Sequence, residues 1–251
     1  MLEMKLQNSF KEFCKQNKFE VNPQQSEIID LLDSFFNYKK TIMGRLFNKK
    51  EKLCFYLYGK VGVGKTMLLN FVYDKIEIKK HRRHFNEFML NFHDFRHKKK
   101  DDNTITTFVK ELKKKYDLIY LDEFQVTNIV DAMILGKLFE VIFEEKIKII
   151  ITTNSKLHDL YKDGLQRDQF LPFISIIENF SVQKELQIQD DYRTKNNEKL
   201  QQIFFPLNEK TSFRINQKFR EFTRNINKES KIVTTKGRNF VINSFYPGIA
   251  R

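Results

Sequence analysis

The chain has 251 residues, 41% of them hydrophobic, with 26 phenylalanines and a formal net charge of +13. That length and apolar content allow a sizeable core and exclude a disordered or fibrous chain. Cys14 and Cys54 are too few for a disulfide framework or a cysteine-based zinc site, and no apolar run reaches the roughly 20 residues that a membrane-spanning helix requires.

Residues 1–20 mix Glu3, Lys5, Lys11 and Glu12 with short apolar stretches, which matches neither a secretory signal nor an acid-free transit peptide. A soluble intracellular protein is expected. Asn22 and Pro23 read as an N-cap and a first-turn proline, and Ile28, Leu31, Leu32, Phe35 and Phe36 follow at helical spacing. From residue 53 the pattern alternates: a buried strand over 53–57, a glycine loop, a helix carrying Met67, Leu68, Phe71, Val72 and Ile76, and a strand around 84–88. A helix ending near Lys115, a strand over 118–121, a helix over 128–144 and a strand over 147–152 come next. A helix containing 170–177 and a strand near 181–188 complete the alternation, which predicts an α/β fold with a mainly parallel five-stranded sheet covered on both faces. The site should then lie at the carboxyl ends of the strands. Beyond Tyr192 the alternation decays. Residues 191–251 hold 13 Lys and Arg against 5 Asp and Glu, with a helical stretch over 213–222 and β-like segments over 232–235 and 240–244. The expected division is an N-terminal helical segment over 1–50, a P-loop core over 51–192 and a small basic subdomain over 193–251.

Gly59-Lys60-Val61-Gly62-Val63-Gly64-Lys65-Thr66, with Met67 after it, is a complete phosphate-cradling loop between strand and helix. Its glycines permit backbone conformations and close approaches that point amide N–H groups at phosphate oxygens, and the helix beginning near Lys65 adds its positive end. Lys65 would contact the β- and γ-phosphates, and the Thr66 hydroxyl would face Mg2+. Asp122 follows the apolar run at 118–121, where a carboxylate can hold Mg2+, commonly through water, and Glu123 is placed to polarise an attacking water. Asn154, just past the next strand, could hold that water or the γ-phosphate. These residues predict the handling of a nucleoside triphosphate.

Other features have plainer explanations. Arg167 precedes an apolar helix and reads from spacing as a surface arginine, with an arginine finger as the alternative. His93 and His97 have the i, i+4 spacing of a metal pair, but no Cys or carboxylate completes a ligand set, so no metal beyond nucleotide-bound Mg2+ is assigned. Phe35-Phe36 and Phe204-Phe205 are assigned to core packing rather than base stacking. The positive charge reads as a lysine-rich solvated surface, and binding to nucleic acid is not favoured.

The chain resembles the ZapE family of division-ring-associated AAA+-type ATPases and their mitochondrial AFG-type, or lactation-elevated, relatives. The resemblance runs from Asn22-Pro23-Gln24-Gln25 to the last residue and is most specific at Arg82-Arg83-His84-Phe85-Asn86-Glu87-Phe88-Met89, Leu121-Asp122-Glu123-Phe124-Gln125-Val126-Thr127, Asp131-Ala132-Met133-Ile134-Leu135-Gly136, and Leu160-Tyr161-Lys162-Asp163-Gly164-Leu165-Gln166-Arg167 with Phe170-Leu171-Pro172-Phe173-Ile174; Asp191-Tyr192-Arg193 also matches. Asn86 stands where members usually carry a second His. The resemblance implies an AAA+-like three-layer sandwich and ATP with Mg2+. It implies a catalytic set of Lys65, Thr66, Asp122 and Glu123, with Asn154 as first sensor and Arg167 as a finger reaching a neighbouring subunit of a homo-oligomer. It further implies a protein partner: FtsZ at the inner face of the bacterial membrane, or inner-membrane proteins facing the mitochondrial matrix. The bacterial cytoplasm is favoured. After Gly248-Ile249-Ala250-Arg251 the family pattern continues into helices resembling an AAA+ lid, so either a shortened variant or a fragment of a longer protein is expected. ATP binding without turnover, as a nucleotide-switched adaptor, and a nucleic-acid-associated ATPase stay open as alternatives.

Overall fold

The computed structural model describes residues 3–37, 51–99, 103–187, 209–224, 226–235 and 237–246. The chain divides into two compact units, 1–195 and 196–251. In the first, α1 (Glu3–Gln16) and α2 (Pro23–Phe36) precede β1 (Cys54–Tyr58), α3 (Lys65–Lys75), β2 (Lys80–His84), α4 (Phe85–Lys98), α5 (Thr104–Lys115) and β3 (Leu118–Asp122). Then come α6 (Ile129–Glu144), β4 (Lys148–Thr153), two single-turn 3₁₀ segments, α7 (Leu171–Phe180) and β5 (Ser181–Glu185). The five strands pair in the order β2-β3-β4-β1-β5, every pairing parallel.

Side chains alternate across a strand, so a sheet buried on both faces needs apolar residues at consecutive positions. Cys54 and Tyr56 of β1, Ile119 and Leu121 of β3, and Ile149 and Ile151 of β4 join α4 to α7 in one core. Phe55 and Leu57, Leu118 and Tyr120, and Ile150 face the other way and pack with α1, α2 and α3. Phe10 of α1 meets Phe71 of α3 edge-on, with ring centroids 5.2 Å apart. Within the helical segment expected over 1–50, the sequence located no individual helix before Asn22. The apolar positions Leu6, Phe10, Phe13 and Cys14 of α1 do recur at helical spacing, but they are diluted by lysines and glutamates.

Asn22 caps α2 as anticipated, its Oδ1 accepting from the Gln24 amide at 2.8 Å, with Pro23 in the first turn. The strand expected over 84–88 is corrected. The strand is Lys80–His84, and Phe85 opens α4. As an edge strand of sequence Lys-His-Arg-Arg-His, β2 carries no apolar alternation. Phe85, Phe88, Met89 and Phe92, at steps of three and four, form one buried helical face. The last strand of the sheet ends at Glu185, and Ile188, Asp191-Tyr192-Arg193 and Phe204-Phe205 lie outside the described residues.

The second unit contains α8 (Glu209–Thr223) and an antiparallel hairpin of β6 (Glu229–Thr235) and β7 (Arg238–Phe245). Gly237 supplies the positive φ of the turn, 74°. Among the described residues, no helix is long and apolar enough to cross a membrane.

Candidate functional site

The carboxyl ends of β1, β3 and β4 converge on a cavity of about 530 Å³. Gly62, Gly64, Lys65, Thr66 and Met67 line one side, and Asp122, Glu123, Thr152 and Asn154 line the other. Positions dispersed over nearly a hundred residues meet because parallel strands present all their carboxyl ends at one edge.

The loop after β1 depends on its glycines. Gly62 and Gly64 both have φ of 89°, in the left-handed region, and Gly64 forms the N-cap of α3. At Gly59 the requirement is space: a Cβ there would lie 2.3 Å from the Leu186 carbonyl oxygen. Lys65, 8% exposed, folds its ammonium back to donate to the Gly59 and Lys60 carbonyls at 2.7 and 2.8 Å and to Asn154 Oδ1 at 3.0 Å. Tyr56, buried in β1, donates its hydroxyl to the Ser155 carbonyl at 2.9 Å and so ties down the turn that carries Asn154.

Asp122 ends β3 and is 3% exposed. Its Oδ1 accepts from the Thr152 hydroxyl and from the Glu123 amide, the latter at 3.1 Å, and its Oδ2 accepts from Arg82 Nη2. Burial pushes this carboxyl up, but the bonds from Thr152 and Arg82 outweigh it and hold the group below the ordinary aspartate value. Glu123 has a φ of 53° and a side chain 81% exposed, turned out of the strand toward solvent, with Oε2 3.8 Å from His84 Nδ1. A non-glycine residue in the left-handed region carries backbone strain, and here it lies directly after the buried carboxylate.

Thr66 and Asp122 together offer a hydroxyl and a carboxylate, the all-oxygen donor set that suits Mg2+. No cluster of three or more His, Cys, Asp or Glu able to hold a metal occurs among the described residues. His93 is engaged elsewhere, its Nε2 lying 2.6 Å from Asp131 Oδ1, where it links α4 to the first turn of α6. These residues suit a cation whose remaining ligands are phosphate and water.

Arg167 is not among the residues lining the cavity. Its guanidinium donates to the Leu160 and His158 carbonyls at 2.7 and 2.6 Å, after Gln166 turns the chain through φ of 53°. Sequence reasoning missed Thr152 and Arg82 as partners of Asp122. Thr152 could have been noticed as a hydroxyl at the end of an isoleucine strand. Arg82 had no local signal, because its role depends on β2 lying beside β3.

The family model described as AFG1-like ATPase matches residues 6–247. The chain is similar to Lactation elevated protein 1 homolog B of Danio rerio, at 33% identity over 204 residues that cover 75% of this chain and 41% of that protein. It is also similar to Cell division protein ZapE of Escherichia coli strain K12, at 31% identity over 177 residues covering 67% of this chain and 47% of that protein. It thus spans less than half the length of these two relatives. With the phosphate loop, the strand-end carboxylate and nearly the whole chain inside one match, this protein belongs to the AFG1-like ATPase family.

Proposed function

We propose that the chain binds ATP with Mg2+ in this cavity and hydrolyses it. The observation that carries the reading is the meeting of Lys65, Thr66, Asp122, Glu123 and Asn154 around one cavity at the strand ends. Amide groups of residues 59–64 and the amino end of α3 would cradle the phosphates, with Met67 flanking the nucleotide. Lys65 would exchange its bonds to the loop carbonyls for the β- and γ-phosphates. Thr66 and Asp122 would hold Mg2+, which when bound neutralises charge developing on the phosphoryl oxygens. Glu123 would take the proton of the attacking water, and Asn154 would fix that water or the γ-phosphate.

Steady-state phosphate release tests the reading. Lys65→Ala should abolish nucleotide binding and turnover. Glu123→Gln should retain binding and lose at least about a hundredfold in turnover. Turnover unchanged by either substitution would overturn it.

Hydrolysis is proposed to serve the remodelling of a protein assembly within a homo-oligomer. Support comes from the family and from the similarity to a cell division protein, which make FtsZ at the inner face of the bacterial membrane the first partner to test. Arg167 would act from a neighbouring subunit after releasing the two carbonyls that it holds. Mixing Arg167→Ala and Lys65→Ala chains should then restore part of the activity; no restoration in a proven mixed assembly would remove Arg167 from that role.

A further inference from the structure

The cation site has a counter-charge built into the neighbouring strand. In the parallel register of β2 and β3, Arg82 lies opposite Tyr120 and His84 opposite Asp122. Paired residues share a face of the sheet, and so do residues two apart on one strand, which puts Arg82, Tyr120 and Asp122 on the same side. The guanidinium crosses the Tyr120 ring, with its carbon 5.1 Å from the ring centroid, and ends on Asp122 Oδ2. Oδ1 of the same carboxylate is held by the Thr152 hydroxyl and the Glu123 amide. Arg82 itself is not among the residues lining the cavity.

A carboxylate that is 3% exposed and without a counter-ion would draw in a divalent cation whether or not nucleotide were present. A guanidinium keeps its charge at every working pH, so on Asp122 it cancels much of that attraction. Triphosphate entering beside Lys65 and Thr66 brings several negative charges and reverses the balance. We propose that Arg82, by holding Asp122 Oδ2, keeps divalent cations off Thr66 and Asp122 until nucleotide arrives, so that metal and triphosphate enter together. The proposal makes Arg82 a positioning residue and rests on Asp122 being the metal-holding carboxylate.

Mn2+ titrated into the full chain without nucleotide, and read by electron paramagnetic resonance, is the test. The unsubstituted chain should bind Mn2+ weakly, and Arg82→Gln should bind it at least about tenfold more tightly. Arg82→Lys, which keeps the charge, should return toward the unsubstituted value, and adding Asp122→Asn to Arg82→Gln should abolish the gain. Thermal unfolding checks each fold, and Arg82→Met, which keeps the packing on Tyr120, replaces Arg82→Gln if that variant does not fold. Equal or weaker Mn2+ binding by the folded charge-removed chain overturns the proposal.

The effect of Mg2+ on nucleotide affinity separates the two claims. If Asp122→Asn leaves that effect unchanged, Asp122 is not the metal carboxylate and both claims fall. If Asp122→Asn removes it while Arg82→Gln gains no Mn2+ affinity, the role of Arg82 alone falls.

Discussion

Lys65 donates its ammonium to Asn154 Oδ1 at 3.0 Å, across 89 residues of sequence, and so joins the phosphate loop to the turn after β4. The bond places a side-chain amide beside the cation that would meet the terminal phosphate. Asn154→Ala should lower ATP turnover by about 10- to 100-fold while ATP affinity changes by no more than about threefold, because positioning matters most in the transition state. Phosphate release and equilibrium binding of a fluorescent ATP analogue distinguish this from a purely structural loss, in which both would fall together.

Glycine positions should respond in opposite directions. At Gly59 an added Cβ would meet the Leu186 carbonyl oxygen at 2.3 Å, so Gly59→Ala must push β1 and the end of β5 apart. Urea unfolding should show a loss of about 2–4 kcal/mol. Gly136 lies inside α6, where the nearest atoms to a new Cβ are at ordinary contact, 3.5 Å. Gly136→Ala should therefore gain about 0.5–1 kcal/mol from helix propensity.

Glu123 combines backbone strain with the proposed role of proton acceptor. Its φ of 53° is unfavourable for Glu, and its exposed side chain contributes little packing. Asn tolerates the left-handed region better, so Glu123→Asn should raise stability by about 0.5–1 kcal/mol while abolishing turnover. Thermal denaturation read beside phosphate release checks both halves; a destabilised variant would show that the strain is not relieved.

The Arg82–Asp122 pair should contribute to stability in a pH-dependent way. Since Asp122 is held below its ordinary value in the folded chain, its contribution is complete above the unfolded aspartate value and is lost as pH falls through the folded one. The window therefore lies below about pH 4. A double-mutant cycle of Arg82→Gln and Asp122→Asn should give a coupling of about 1–2 kcal/mol at pH 7, trimmed by the partial exposure of Arg82, and little in strong acid.

Cys14 and Cys54 are both fully buried, and burial pushes both thiols up. Neither should react with maleimide in the folded chain, and both should react on unfolding. Fast labelling of the native chain would show that α1 or the start of β1 opens readily.

Much of the site was legible because a phosphate loop is a local device. Its glycines, Lys65 and Thr66 all fall within residues 59–66, so spacing alone points to the chemistry proposed for them. Asp122 and Asn154 were legible for a related reason: each follows a run of apolar residues, and strand ends in a parallel sheet share one edge. Residues whose roles come from lateral neighbours were not legible. The polar strand at Lys80–His84 has no period to detect, and its displacement from 84–88 in the sequence reading follows from that.

By itself, then, the sequence determined the alternation of strands and helices, the phosphate loop and the acidic strand end, because each is written in contiguous residues. Only the tertiary structure decided which side chains complete Asp122. It placed Arg82 and Thr152 on the two carboxylate oxygens, set Lys65 against Asn154, and turned the Arg167 guanidinium onto backbone carbonyls. Those relationships depend on strand order and register, which no local pattern specifies.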